Sequence, residues 1–118
     1  MKPAAYFDSI YLCRDFVDMR KSINGLSQIV ESEMELSPFE KCLFVFTNRR
    51  KKIIKALYWF NTGFALWMLK LEQDKFFWPV TADSSVVTLT DQQFNWLIEG
   101  YNLAAMKPHE TLSYSRFS

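Results

Sequence analysis

Glycine is scarce in this chain of 118 residues: Gly25, Gly63 and Gly100 stand alone in three separate segments. No cluster of them can form the backbone cradle with which nucleotide-binding enzymes hold phosphates. Cysteine is scarcer still. Cys13 and Cys42 match no zinc or redox spacing, and each reads as a buried free thiol. The one histidine, His109, follows Pro108 in a weakly patterned stretch and reads as a solvated residue rather than a general base. A Ser-His or Cys-His nucleophilic system therefore has little support. No apolar run approaches the ~20 residues that a membrane helix needs. The opening Met1-Lys2-Pro3-Ala4-Ala5-Tyr6 leads to Asp8 rather than to the apolar centre of a signal peptide. The expected location is the reducing cytoplasm, with no membrane partner.

Carboxylates are present, but their placement argues for structure. Asp15 and Asp18 read as caps of a following helix, and Glu31, Glu33 and Glu35 as its solvated end. No convincing set of metal-binding side chains emerges, so neither a metal nor a cofactor is expected and the protein reads as non-enzymatic.

What the chain has in quantity is apolar and aromatic surface. Apolar residues make up 49% and aromatics 17%, which excludes a disordered chain and suffices for one core without disulfides. We expect a single domain over residues 1–102 and a loose tail over 103–118. The net charge of +1 conceals a strong polarity along the chain. Residues 1–40 hold four Lys/Arg against seven Asp/Glu, residues 41–75 eight against two, and residues 76–118 two against four.

The positive segment has an internal order. Leu43-Phe44-Val45-Phe46-Thr47 is continuously apolar, as a strand buried on both faces requires, and Ile53 to Phe60 is a second strand-like run. Between them stand Arg49-Arg50-Lys51-Lys52. The pattern predicts a β-hairpin with a cationic tip, a natural contact for phosphate. Arg49 and Arg50 offer planar forks, while Lys51, Lys52 and Lys55 act as flexible point charges. Two-stranded ribbons can enter a nucleic-acid groove. The competing reading is structural, because a charged tip also protects a sheet from edge-to-edge aggregation. Asp18-Met19-Arg20-Lys21 has two readings as well: a helix start in which the carboxylate favours the dipole, or a string whose Arg20 and Lys21 extend the positive surface of the hairpin.

Around this centre the elements follow from pattern. Ser9 to Cys13 reads as a first strand. Met19, Ile23, Leu26 and Val30 share one helical face, predicting a helix over 19–33 with Gly25 allowing close approach to the sheet. Asn61-Thr62-Gly63 suits a hairpin closed by a G1 bulge, making Phe64 to Leu71 antiparallel to the strand before it. Lys75-Phe76-Phe77-Trp78 reads as a strand stopped by Pro79. Ser85 to Thr88 fits either an edge strand or a loop. Thr90 and Gln93 form a capping-box signature for a helix over 90–100 carrying Phe94, Leu97, Ile98 and Tyr101 on one face. The fold class is α+β: a mainly antiparallel sheet of four to five strands with two main helices packed against it.

Eleven of the twenty aromatics lie between Phe39 and Trp78. Such residues usually fill a core, but Tyr58, Trp59 and Trp67 are the candidates for base stacking, or for a protein interface.

These strings together resemble a known family. Asp18-Met19-Arg20-Lys21, Gly25-Leu26, Leu43-Phe44-Val45-Phe46 and Asn48-Arg49-Arg50 are similar to the small TnpB accessory proteins of IS66 insertion sequences, which are unrelated to the RNA-guided nucleases of that name. The similarity continues through Ile54-Lys55, Leu57-Tyr58-Trp59, Gly63-Phe64, Leu66-Trp67, Leu71-Glu72, Phe76 and Trp78-Pro79, and closes with Leu89-Thr90 and Glu99-Gly100. The resemblance implies a factor encoded in a bacterial mobile element beside a separate transposase, and it supplies no catalytic residues. DNA at element ends or target sites, the transposase, and a second copy of the chain are the expected partners. Two departures stand out. Family members commonly carry a glycine and an acidic residue where this chain has Lys51-Lys52. They also commonly have an acidic residue and a glycine where it has Phe60-Asn61.

Overall fold

The computed structural model describes residues 1–101. A 3-10 turn (Ala4–Tyr6) leads into β1 (Ser9–Cys13), α1 (Ile23–Ser32), β2 (Cys42–Thr47), β3 (Ile53–Trp59), β4 (Phe64–Lys70), β5 (Val86–Leu89) and α2 (Asp91–Ile98). His109 and the tail expected over 103–118 lie outside the described residues.

The continuous apolar run of β2 takes the middle of a five-stranded sheet, order β4-β3-β2-β1-β5. All six of its residues are buried. The pairings β2–β3, β3–β4 and β1–β5 are antiparallel. β1 and β2 are parallel, with Ser9 opposite Cys42 and Leu12 opposite Val45, and α1 is the crossover between them. That parallel pair has a consequence for the site. The C-terminal ends of β1 and β2 emerge at the same edge, so the loop after Cys13 and the hairpin tip after Thr47 become neighbours. The amide of Val17 donates to the Thr47 carbonyl at 2.9 Å and ties them together.

Each face of the sheet has its own core. Leu26, Ile29 and Val30 of α1 pack with Cys13, Phe44, Phe46 and Leu57 on one face. On the other, Phe94 and Leu97 of α2 join Ile10, Leu12, Leu43, Val45, Ile54, Ala56 and Tyr58. The capping box of α2 forms as the sequence predicts, with Gln93 N–H on Thr90 Oγ1 at 3.0 Å and Thr90 N–H on Gln93 Oε1 at 2.9 Å. Tyr101, assigned to the apolar face of that helix, lies beyond its end and is exposed, after Gly100 takes a positive φ of 92°.

Four local expectations need correction. α1 begins at Ile23, after N-cap Ser22, rather than at Met19. Asp18 instead closes a turn: its Oδ1 accepts from Arg20 N–H at 2.9 Å, and its carbonyl accepts from Lys21 N–H at 3.0 Å. Such Asx turns compete with helix for the same residues. Second, a Cβ on Gly25 would meet the Lys21 side chain at 3.2 Å, so the close neighbour is the chain preceding the helix and not the sheet. Third, the left-handed residue of the β3–β4 turn is Asn61 (φ 55°), not Gly63, so no G1 bulge forms. Asn61 thus stands in for a glycine by a conformation that Asn tolerates better than most residues.

The fourth concerns Lys75 to Trp78, which is not a strand. It is a strap across the end of the sheet. Phe76 N–H donates to Lys51 O at 2.7 Å, and the Trp78 indole N–H donates to Cys13 O at 3.0 Å. Both rings are buried in the α2-side core. Val86–Leu89, by contrast, resolves as an edge strand on β1.

Both cysteines are free and buried. Burial is the main cause that pushes the Cys13 thiol up to about 11, and it raises Cys42 as well. Since the thiolate is the reactive form, neither should react with Ellman's reagent at pH 8 in the folded protein, and both should react after unfolding in urea. Rapid labelling of native protein would contradict the assigned cores.

Candidate nucleic-acid interface

The five residues Asn48 to Lys52 join β2 to β3, and backbone hydrogen bonds hold them on both sides. Asn48 is the organising side chain. Its Oδ1 accepts from Lys52 N–H at 3.1 Å and Ile53 N–H at 3.4 Å, while its carbonyl accepts from Lys51 N–H at 2.9 Å. Buried Thr47 donates its hydroxyl to Ile53 O at 2.8 Å. The strap adds Phe76 N–H on Lys51 O, and Leu71, just after β4, donates its N–H to Lys52 O at 2.8 Å. The four cations therefore stand on a fixed base, so little backbone entropy remains to be lost on binding an anion.

Lys51 closes this turn with φ 59°. The left-handed conformation is costly for a residue with a Cβ and free for glycine. Lysine rather than glycine at this position therefore trades local stability for a charge. Lys51→Gly should raise unfolding stability by up to about 1 kcal/mol while reducing the salt dependence of any DNA binding by about one phosphate. Urea melts and a salt titration check the two effects.

The tip lies against the loop that follows β1. Arg49 and Lys51 sit 5.7 and 5.8 Å from the centre of the Phe16 ring, a cation–π arrangement that orients both. Between tip and loop is a cleft of about 630 Å³ lined by Phe16, Val17, Asp18, Met19, Arg20, Asn48, Arg49 and Arg50. The strings Asp18-Met19-Arg20 and Asn48-Arg49-Arg50, some 30 residues apart in sequence, thus form the two walls of one cleft. Arg20 thus lies beside the hairpin, but with its charge paired to Asp18 in the same wall. Lys21 is exposed but is not part of the cleft lining. Among the described residues the ion pairs are Arg14–Asp15 and Arg20–Asp18, so Arg49, Arg50, Lys51 and Lys52 have no carboxylate partner there.

Lys55 does not belong to this group. Its ammonium donates to the carbonyls of Met19 and Lys21, each at 2.8 Å, and so pins the lead-in of α1 to the sheet. The local sequence around Lys55 gave no sign of acceptors so far away in sequence. Lys55→Met should cost about 2 kcal/mol, the scale for losing hydrogen bonds to a charged donor. Urea melts would measure this loss, and the phosphate-dependent slope of DNA binding should not change.

The stacking candidates also separate. Tyr58 is buried, edge-on to Phe7 with ring centroids 5.1 Å apart, and offers no free face for a base. Trp67 is half-buried against the α2-side core. Trp59 sits in a triangle with Phe39 and Phe64, centroids 5.1 to 5.4 Å apart. That triangle is at the far end of β3 from the cationic tip, about 20 Å away for a strand of this length. Phe39 in it is 55% exposed, and Phe60 beside it in sequence is 42% exposed. Pattern reading missed Phe39, because it stands in a turn sequence, and Phe16, whose importance depends on the parallel β1–β2 pair.

Among the described residues no group of three or more His, Cys, Asp or Glu side chains is arranged to hold a metal ion, and no helix is long and apolar enough to cross a membrane.

The fold and the cleft define a small α+β protein that presents a braced cationic hairpin at one end and exposed aromatic rings at the other. Residues 8–108 match the IS66 Orf2 like protein family, and the chain belongs to that family. Membership gives it a transposition-associated accessory role. The uncharacterized protein y4hO of Sinorhizobium fredii (strain NBRC 101917 / NGR234) is 25% identical over 100 residues, spanning 85% of this chain and 86% of its own length. The uncharacterized protein y4jC of the same organism is 30% identical over 91 residues, 77% of each chain. No solved structure matches the chain.

Proposed function

We propose that this protein is a non-enzymatic accessory factor of transposition that binds DNA through the hairpin tip, at element ends or at the target. The observation that carries the reading is the set of four cations, unpaired among the described residues, on a turn braced by Asn48 and by the backbone of Leu71 and Phe76. Phosphate contacts supply position and affinity, and such contacts release counterions. The test is fluorescence anisotropy of a labelled element-end duplex against a shuffled duplex across a salt series. Four phosphate contacts give a log–log slope of about −4. A slope near zero, or no binding by folded protein, would sink the reading.

A second reading has its own observation. The Phe39–Trp59–Phe64 triangle adjoins β4, whose outer edge has no partner strand among the described residues. Aromatic side chains are enriched at protein binding hot spots, and an open apolar edge invites a partner strand. In this reading the protein is an adaptor that docks on the element's transposase, with the tip as an electrostatic guide. Co-purification with the transposase that survives nuclease treatment supports it; association that disappears with the nucleic acid counts against it.

A further inference from the structure

Arg20 enters the cleft in a different electrical state from the arginines of the tip. The Asp18 carboxylate grips its guanidinium side-on. Arg20 Nε donates to Asp18 Oδ1 at 3.1 Å and to Oδ2 at 3.0 Å, and Nη2 donates to Oδ2 at 2.6 Å. The same carboxylate accepts the Arg20 backbone N–H, so side chain and backbone are fixed together. These bonds hold the Asp18 carboxyl down at about 2, and the pair stays ionised at any pH used for binding.

Side-on engagement leaves the end of the guanidinium free. Nε and one hydrogen of Nη2 face Asp18; both hydrogens of Nη1 and the other hydrogen of Nη2 remain. That end is a two-pronged donor, and the Arg20 side chain is 91% exposed. Two ligands could use such a fork. A phosphate would meet the Asp18 charge alongside it and gain little net attraction from a neutralised pair. A guanine edge carries two acceptors, O6 and N7, in the matching geometry and no charge to be repelled. A fork already held in one orientation also loses less rotamer freedom on binding.

We propose that Arg20, braced by Asp18, reads a guanine edge, while Arg49, Arg50, Lys51 and Lys52 anchor the sugar–phosphate backbone. This rests on the DNA-binding reading above and divides its labour: the tip supplies affinity and Arg20 supplies sequence preference. Asp18 acts as a positioning residue.

The test uses the element-end duplex, and the corresponding single strand, with every guanine either ordinary or replaced by 7-deazaguanine. That replacement deletes the N7 acceptor and leaves the charge unchanged. Wild-type protein should lose roughly 5- to 10-fold in affinity on the replaced DNA, the lower part of the range for a bidentate base contact, because O6 remains as an acceptor. Arg20→Lys keeps the charge but not the fork; it should bind ordinary DNA with that lower affinity, lose nothing further on replacement and keep the wild-type salt slope. Asp18→Asn should weaken the guanine dependence, and any change in slope should be toward a steeper one, because the unpaired Arg20 charge is then free to engage phosphate. Loss on the duplex assigns the contact to the groove, and loss on the single strand alone assigns it to an unpaired guanine.

Indifference of the wild type to 7-deazaguanine overturns the proposal. So does an Arg20→Lys variant that retains full guanine dependence, or an Arg20→Ala variant whose salt slope falls by about one, as a phosphate contact would. In each of those cases DNA binding by the tip still stands. Absence of any binding by the wild type removes both readings.

Discussion

Changing Arg49, Arg50, Lys51 and Lys52 together to alanine should remove salt-sensitive DNA binding and leave the fold intact. With four phosphate contacts and about 0.9 counterions released at each, wild-type affinity falls roughly 100-fold between 50 and 200 mM salt. The variant should show almost no slope and, at low salt, an affinity lower by at least that factor. The fold should survive because the bonds that shape the tip come from the backbone and from Asn48, none of which the substitution touches. Circular dichroism and thermal melts provide the control. A wild-type slope retained by the folded variant would move the contact away from the hairpin.

The second large effect is on stability. Phe44 is fully buried at the centre of β2, stacked on Tyr11 with centroids 5.9 Å apart and covered by the α1 side of the core. Phe44→Ala should cost about 3–5 kcal/mol, the transfer term plus a cavity that a central strand cannot collapse. Domains of this size are stable by only about 5–15 kcal/mol, so the variant should be partly unfolded near physiological temperature. Urea melts measure it, and a cost under about 1 kcal/mol would contradict the assignment of a separate core beneath α1.

Both effects concern features that the sequence displays openly. A short unbroken apolar run, rich in aromatic and β-branched residues and followed by a charged turn, fits a strand covered on two sides, so β2 and its hairpin were legible, as were the four cations between two strands. The capping box of α2 was equally plain, since it depends on residues three apart.

What was not legible depends on partners distant in sequence. Nothing local says that β1 pairs parallel to β2, yet that pairing brings Phe16, Asp18 and Arg20 to the tip. Met19 continues the period of α1, but the Asp18 turn takes its backbone first. Phe76 and Trp78 have strand propensity, while their hydrogen bonds go to Lys51 and Cys13 across the end of the sheet. Lys55 shows the same limit for function. Its charge sits beside the basic run, and only the carbonyls of Met19 and Lys21 reveal that it holds the structure together.

The measurement that tests the central claim most directly is a titration of isotope-labelled protein with the element-end duplex, followed by amide chemical shifts. DNA binding through the tip predicts shifts concentrated at residues 48–52 and 16–20, fading as salt rises, with Phe39, Trp59 and Phe64 at the far end undisturbed. Shifts centred on those three aromatics, or none at all at low salt, would contradict it.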